Sequence, residues 1–170
     1  MAENDADDTY IDRPNRRKAS SKATKAIVAL LLLVSAGLMI IISIGGWGTI
    51  EGAKAVQIAY ILIYILMAYL VMRWNRGVLP LAAALAIVLL IFAAVSGPAW
   101  FDRDKEGLAD PTLDEDFLGL LSLLLVPVQI LLIAFAMRGF QQAWNVEVER
   151  TRDEPRGGGE RRGESAPAPA

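Results

Sequence analysis

Residues 26–44 read AIVALLLLVSAGLMIIISI, and this uncharged stretch decides the fold class. A helix rises 1.5 Å per residue, so about 20 apolar residues cross a hydrocarbon core of roughly 30 Å. Twelve residues of the stretch are Leu, Ile or Val, which favours insertion by about 4–7 kcal/mol as an upper bound. The stretch is longer than the 7–15 apolar residues of a signal peptide. We therefore predict a retained transmembrane helix.

Three further runs have the same character, at residues 55–72, 78–95 and 117–137. None of them contains Asp, Glu, Lys or Arg. A soluble helical bundle needs a polar face on each helix, and these runs have none. The sequence therefore predicts an all-α, four-helix transmembrane bundle. In the third run, Ala82 and Ala86 are spaced four residues apart, which predicts close helix packing there.

The composition argues against catalysis. The chain has no Cys and no His, so thiol chemistry, disulfides and the commonest general base are excluded. It has no serine-nucleophile, zinc-protease or phosphate-loop motif. The net charge of −2 gives no basis for a nucleic-acid partner. We predict a protein that is not an enzyme and has no cofactor, apart from the calcium hypothesis below.

Lysine and arginine set the predicted orientation. Eleven basic residues flank the N-terminus, the 73–77 loop and the C-terminus, whereas the other two loops have only Lys54, Arg103 and Lys105. Because basic flanks stay in the cytoplasm, both termini are expected there, in a multi-pass protein of the plasma membrane. One of the four Trp residues follows each predicted span, as expected for side chains at the bilayer interface.

The two ends of the chain are polar. Residues 1–25 are predicted to form a disordered arm whose basic cluster lies against the membrane. This cluster either only sets the topology or also attracts anionic lipid. The candidate lipid-binding residues are Arg16, Arg17, Lys18, Lys22 and Lys25. Residues 153–170 are rich in Gly, Pro and charge, and are predicted to be disordered.

Residues 139–152 connect the last span to this tail. Phe140, Trp144 and Val148 recur every four residues, which is the spacing of one apolar stripe on a helix. We therefore predict a cytoplasmic helix over residues 139–152 that lies along the membrane surface.

The loop at residues 100–116 contains the candidate metal ligands. Asp102, Asp104, Glu106 and Asp110 stand at positions 1, 3, 5 and 9 of a pattern similar to an EF-hand calcium loop. Position 12 should be a bidentate Glu and is Leu113. Two interpretations remain open, a weak Ca²⁺ site and a solvated acidic loop.

Three stretches resemble small four-helix membrane proteins of high-GC Gram-positive bacteria, a group with no established activity. They are RWNRG at 73–77, WFDRDKEG at 100–107 and MRGFQQAWNVEVE at 137–149, and the resemblance covers about residues 26–150. It implies a bacterial plasma membrane and no particular mechanism.

Three functions remain open from the sequence. The leading hypothesis is an accessory or scaffold subunit of a plasma-membrane assembly, with a membrane-protein partner or a second copy as its neighbour. The second is a small oligomeric channel or passive transporter, which should gather Gln57, Tyr60, Tyr64 and Ser122 in one wet cavity. The third is an extracytoplasmic cation sensor. No ionisable residue lies in the spans, which weighs against a proton-coupled transporter.

Overall fold

The computed structural model describes residues 9–103 and 110–151. Four long helices form the bundle, preceded by a short helix and flanked by two short strands. In chain order the elements are β1 (Thr9–Asp12), α1 (Pro14–Arg17), α2 (Ala19–Gly45), a 3₁₀ turn (Glu51–Ala53), α3 (Lys54–Met72), α4 (Val78–Phe101), α5 (Glu115–Gln141) and β2 (Val148–Thr151).

The four helices α2 to α5 are long and apolar enough to cross a membrane, as the sequence predicted. The structure extends three of them beyond the apolar runs. Helix α2 begins seven residues earlier, at Ala19, because the segment before the apolar run contains no helix breaker. Helix α4 continues through Pro98 to Phe101. Helix α5 is capped by the Asp114 carboxylate, which accepts a hydrogen bond from the Phe117 N–H at 3.0 Å.

The helices do not contact one another equally. Helices α4 and α5 share the most extensive interface, α2 packs against both α3 and α5, and α3 touches α4 only sparsely. Ala82 and Ala86 are completely buried, in keeping with close packing along α4. A Cβ atom at Gly97 would stand 2.6 Å from Leu123 Cδ2, so this glycine allows α5 to approach.

A buried polar network ties three helices together near the middle of the bundle. The Tyr64 hydroxyl donates to Gln129 Oε1 at 3.0 Å, and Gln129 Nε2 donates to Ser35 Oγ at 2.8 Å. The Ser35 hydroxyl in turn donates to the Leu31 carbonyl in its own helix. Because every member has a partner, this polar layer is compatible with an apolar surrounding.

The first and last described segments meet at the end of the bundle that contains the 73–77 turn, which we call the terminal end. Strand β1 pairs with β2 in antiparallel register, with Thr9 opposite Thr151 and Asp12 opposite Val148. We call this two-stranded sheet the ribbon. Two ion pairs, Arg13–Glu147 and Arg17–Asp12, lie beside it. The arrangement agrees with four antiparallel spans, since an even number of spans returns the chain to its starting side.

The ribbon differs from two sequence predictions. The arm predicted to be disordered over residues 1–25 is structured from Thr9 onward, and the helix predicted over residues 139–152 ends at Gln141. The chain reverses because Ala143 adopts a left-handed backbone (φ 49°), which cannot continue a helix. Residues 1–8 and the predicted tail at 153–170 lie outside the described residues.

Trp144 explains why the chain turns there. Its side chain is completely buried and meets the Trp74 ring edge-on, with centroids 5.3 Å apart. Arg16 and Lys25 lie over the Trp74 ring, at 5.9 and 4.2 Å from its centroid. Trp144 therefore packs inside the protein, where it joins the N-terminal segment, the turn and the C-terminal segment.

The opposite end, which we call the distal end, is formed by residues 46–53 and 110–114. The Gly45 carbonyl accepts hydrogen bonds from the backbone N–H groups of Thr112 and Leu113, at 2.7 and 3.2 Å. These bonds connect the end of α2 to the segment before α5. The distal end thus has its own ordered contacts, independent of the ribbon.

Candidate functional site

The sparse contact between α3 and α4 leaves a cavity in the distal half of the bundle, which we call the α3–α4 cleft. Its volume is about 500 Å³. This lies within the range of roughly 300–1,000 Å³ that is typical of small-molecule sites. Helices α3 and α4 are joined by the short 73–77 turn at the terminal end, and the cleft residues come from the start of α3 and the second half of α4. The two helices therefore diverge toward the distal end.

The wall of the cleft is mainly apolar. Its floor is formed by Met39 and Ile42 of α2 together with Leu125 of α5, all of which are buried. At its edges Phe92 and Val95 of α4 are 56% and 69% exposed, so the cleft opens on the apolar outer surface of the bundle.

Few polar groups line the cleft, and they lie toward its opening at the distal end, which we call the distal mouth. Gln57 and Tyr60 come from α3, Ser122 from α5, and Arg103 follows α4. Two of these residues have a buried polar atom without a hydrogen-bond partner in the part of the chain that the structure describes, namely Gln57 Oε1 and Arg103 Nε. The guanidinium of Arg103 lies 5.3 Å from the centroid of the Trp100 ring, which is buried in the cleft wall. These groups are available to a molecule bound in the cleft.

Three of the four residues predicted to line a pore share this cleft, namely Gln57, Tyr60 and Ser122. The fourth, Tyr64, lies one turn further along α3 and is completely buried in the network with Gln129 and Ser35. Below that layer the terminal half contains fully buried Leu32, Leu132 and other apolar side chains. The cleft is therefore open at the side of the bundle and closed toward the terminal end.

The comparisons with known proteins give no further guide. No protein-family model, curated protein or solved structure matches the chain. The site is therefore interpreted from its own geometry.

The predicted calcium ligands are only partly described. Asp102 and Asp110 are exposed, and Asp104 and Glu106 lie outside the described residues. Within residues 9–103 and 110–151, no group of three acidic side chains could hold a metal ion. The calcium hypothesis stays a prediction.

The predicted lipid-binding cations fall into two groups. Arg17, Lys18 and Lys22 are exposed at the terminal end. Arg16 and Lys25 are half-buried against Trp74, and Arg16 Nε also donates to the Trp144 carbonyl at 3.1 Å. Lipid binding by the first three stays a prediction, whereas the other two contribute to packing.

The sequence reasoning missed Trp100 and Arg103 as site residues. Gln57, Tyr60 and Ser122 were noticeable as polar residues within apolar runs, but Trp100 was interpreted only as an interface marker. The available signal was their spacing of three residues at a helix end, which places a cation over an aromatic ring.

Proposed function

We propose that this chain is a non-enzymatic membrane protein that binds the apolar chain of a membrane amphiphile in the α3–α4 cleft. The observation that carries the proposal is an apolar cavity of about 500 Å³ between two spans, with exposed apolar edges on the lipid side. A plasma-membrane location with both termini in the cytoplasm is part of the proposal, supported by the distribution of basic residues.

The size of the cleft favours an alkyl chain over a protein helix as its occupant. A helix about 10 Å wide, rising 1.5 Å per residue, fills roughly 120 Å³ per residue. The cleft therefore holds only about one helical turn. An alkyl chain is much narrower and can enter between Phe92 and Val95 of α4 and the facing side of α3.

The test uses a neutral probe, a spin-labelled stearate methyl ester, added to the purified full-length protein in detergent. Trp100 lines the cleft, so we expect saturable quenching of tryptophan fluorescence that is smaller in Trp100→Phe. Ala99 also lines the cleft, and a larger side chain there fills it. Ala99→Phe is expected to weaken probe binding about tenfold, because overpacking typically costs about 1–3 kcal/mol.

The matched control is Ala94→Phe. Ala94 is an exposed alanine of the same helix that does not line the cleft, so its replacement should leave the affinity unchanged. Quenching that does not saturate, or that falls equally in both variants, contradicts the proposal.

An accessory role in a membrane assembly is the second candidate function. The observation that favours it lies on the ribbon, where Ile11, Val146 and Val148 are exposed apolar side chains beyond the spans. Crosslinking in native membranes followed by mass spectrometry tests it. We expect a reproducible partner peptide linked near the ribbon, and affinity purification in mild detergent that repeatedly returns the protein alone contradicts it.

A further inference from the structure

The head group of the bound amphiphile must supply most of the selectivity of the α3–α4 cleft. Lipid tails are as apolar as leucine side chains, so moving an alkyl chain from the bilayer into an apolar cleft brings little hydrophobic gain. Differences in affinity between lipids therefore depend on the polar groups at the distal mouth. This inference rests on the proposed function and deepens it.

Arg103 is the principal polar group at that mouth. Its Nε atom is buried and has no hydrogen-bond partner among the described residues, and its guanidinium carbon lies 5.3 Å from the centroid of the Trp100 ring. A guanidinium presents donors in a planar fork that matches a phosphate or carboxylate. The contact with Trp100 restricts this side chain, so less side-chain freedom is lost when an anion binds.

A second cation stands at the start of α3. Lys54 lies three residues before Gln57 on the same face of the helix, and its Nζ is 4.9 Å from the centroid of the Trp47 ring. The amide of Gln57 adds an unpaired acceptor for a hydroxyl group. The mouth thus combines the positive charge of Arg103 with the Gln57 acceptor beside an apolar cleft, and Lys54 lies close to Gln57 but outside the lining.

The acidic loop does not neutralise these cations among the residues that the structure describes. Asp102, Asp110 and Asp114 are exposed, and none of their carboxylates forms an ion pair with Arg103 or Lys54. In the described ranges 9–103 and 110–151, both ion pairs lie at the terminal end.

We propose that the α3–α4 cleft selects an anionic phospholipid whose head carries a hydroxyl group. The phosphate accepts hydrogen bonds from Arg103, the hydroxyl donates to Gln57 Oε1, and one alkyl chain occupies the cleft. The charge of Lys54 disfavours a head group that ends in a quaternary ammonium.

The experiment is native mass spectrometry of the full-length protein with an equimolar mixture of two single-chain lipids, lysophosphatidylglycerol and lysophosphatidylcholine of equal chain length. Adducts retained by Ala99→Phe measure lipid bound outside the cleft and are subtracted. We expect the glycerol lipid to be preferred by about tenfold, the ratio given by one net hydrogen bond of about 1.4 kcal/mol, here from its hydroxyl to Gln57 Oε1.

Arg103→Ala should weaken the binding of both lipids, which share the phosphate, and should reduce the preference to about twofold or less, since the positive charge that favours a net anionic head over a zwitterionic one is lost. Arg103→Lys should keep part of it, because an ammonium retains the charge without the bidentate geometry. Arg138→Ala is the matched control. It removes the same charge from an exposed position at the terminal end and should leave the preference intact.

The outcomes separate the two proposals. Equal binding of both lipids, or a preference for the choline lipid, overturns the head-group inference and leaves lipid binding by the cleft standing. A preference that persists in Arg103→Ala overturns the role of Arg103. Absence of cleft-dependent adducts with either lipid overturns the proposed function itself. The wild-type comparison alone decides the head-group inference if the Arg103 variants do not fold.

Discussion

Gln129 shows how a polar side chain is accommodated at the centre of an apolar bundle. Its amide is completely buried, yet its oxygen accepts from Tyr64 and its nitrogen donates to Ser35. In hydrocarbon an unpaired amide is costly, so the three residues hold α2, α3 and α5 at one relative height. The polar layer therefore determines the register of the helices more than it adds to stability.

Tyr64→Phe tests this network. The variant leaves Gln129 Oε1 without its donor, and we expect unfolding in detergent to become easier by about 0.6 kcal/mol, with about 1.7 kcal/mol as the upper limit for such bonds. Thermal or denaturant unfolding followed by circular dichroism measures the change. Tyr60→Phe is the control, because the hydroxyl of Tyr60 faces the cleft and its loss should leave stability within about 0.5 kcal/mol. Equal effects of the two variants contradict the assignment.

At the scale of elements, the interface between α4 and α5 depends on small residues. Gly97 lies where the side chain of Leu123 crosses α4, and Gly37 of α2 has no atom within 4 Å of the position of a Cβ. Both glycines are helical, so alanine should favour the helix by about 1 kcal/mol at either position. The difference in the free energy of unfolding between the two alanine variants therefore measures the effect of packing alone.

Gly97→Ala is expected to lower the free energy of unfolding by about 1–3 kcal/mol relative to Gly37→Ala, since Leu123 must move. The same unfolding assay measures it. A Gly97→Ala protein as stable as Gly37→Ala would show that α4 and α5 are less closely packed than the structure indicates.

The sequence predicted the centres of all four spans, because an uninterrupted apolar run of this length has only one favourable environment. It did not predict the ribbon. Strands β1 and β2 are four residues long and more than 130 residues apart, so no local pattern indicates that they pair. The spacing of Phe140, Trp144 and Val148 suited a helix, and the burial of Trp144 under Trp74 outweighed it. The sequence did not predict the α3–α4 cleft either, because the cleft arises where α3 and α4 make few contacts with each other.

At the scale of the whole molecule, strands β1 and β2 and the 73–77 turn lie together at the terminal end. The basic residues predict that this terminal end is cytoplasmic. The chain has no cysteine, so a single introduced thiol reports its own position without background.

We expect a membrane-impermeant maleimide to label Thr112→Cys on intact cells and to label Asn75→Cys only after lysis. Both positions are exposed, and they lie at opposite ends of the bundle. Labelling is read by a mass-tag shift on a gel. The reverse pattern would place the termini outside the cell and would invert the proposed orientation of the α3–α4 cleft.

Because Thr9 pairs with Thr151, the first and last described residues lie side by side. Partner residues in an antiparallel pair stand only about 4.5–5.5 Å apart between Cα atoms. A short linker can therefore join these positions, and the chain can be opened instead in the turn at residues 46–49. Such a circular permutant would retain all four spans and their neighbours while both of its free ends emerged on the opposite face of the membrane.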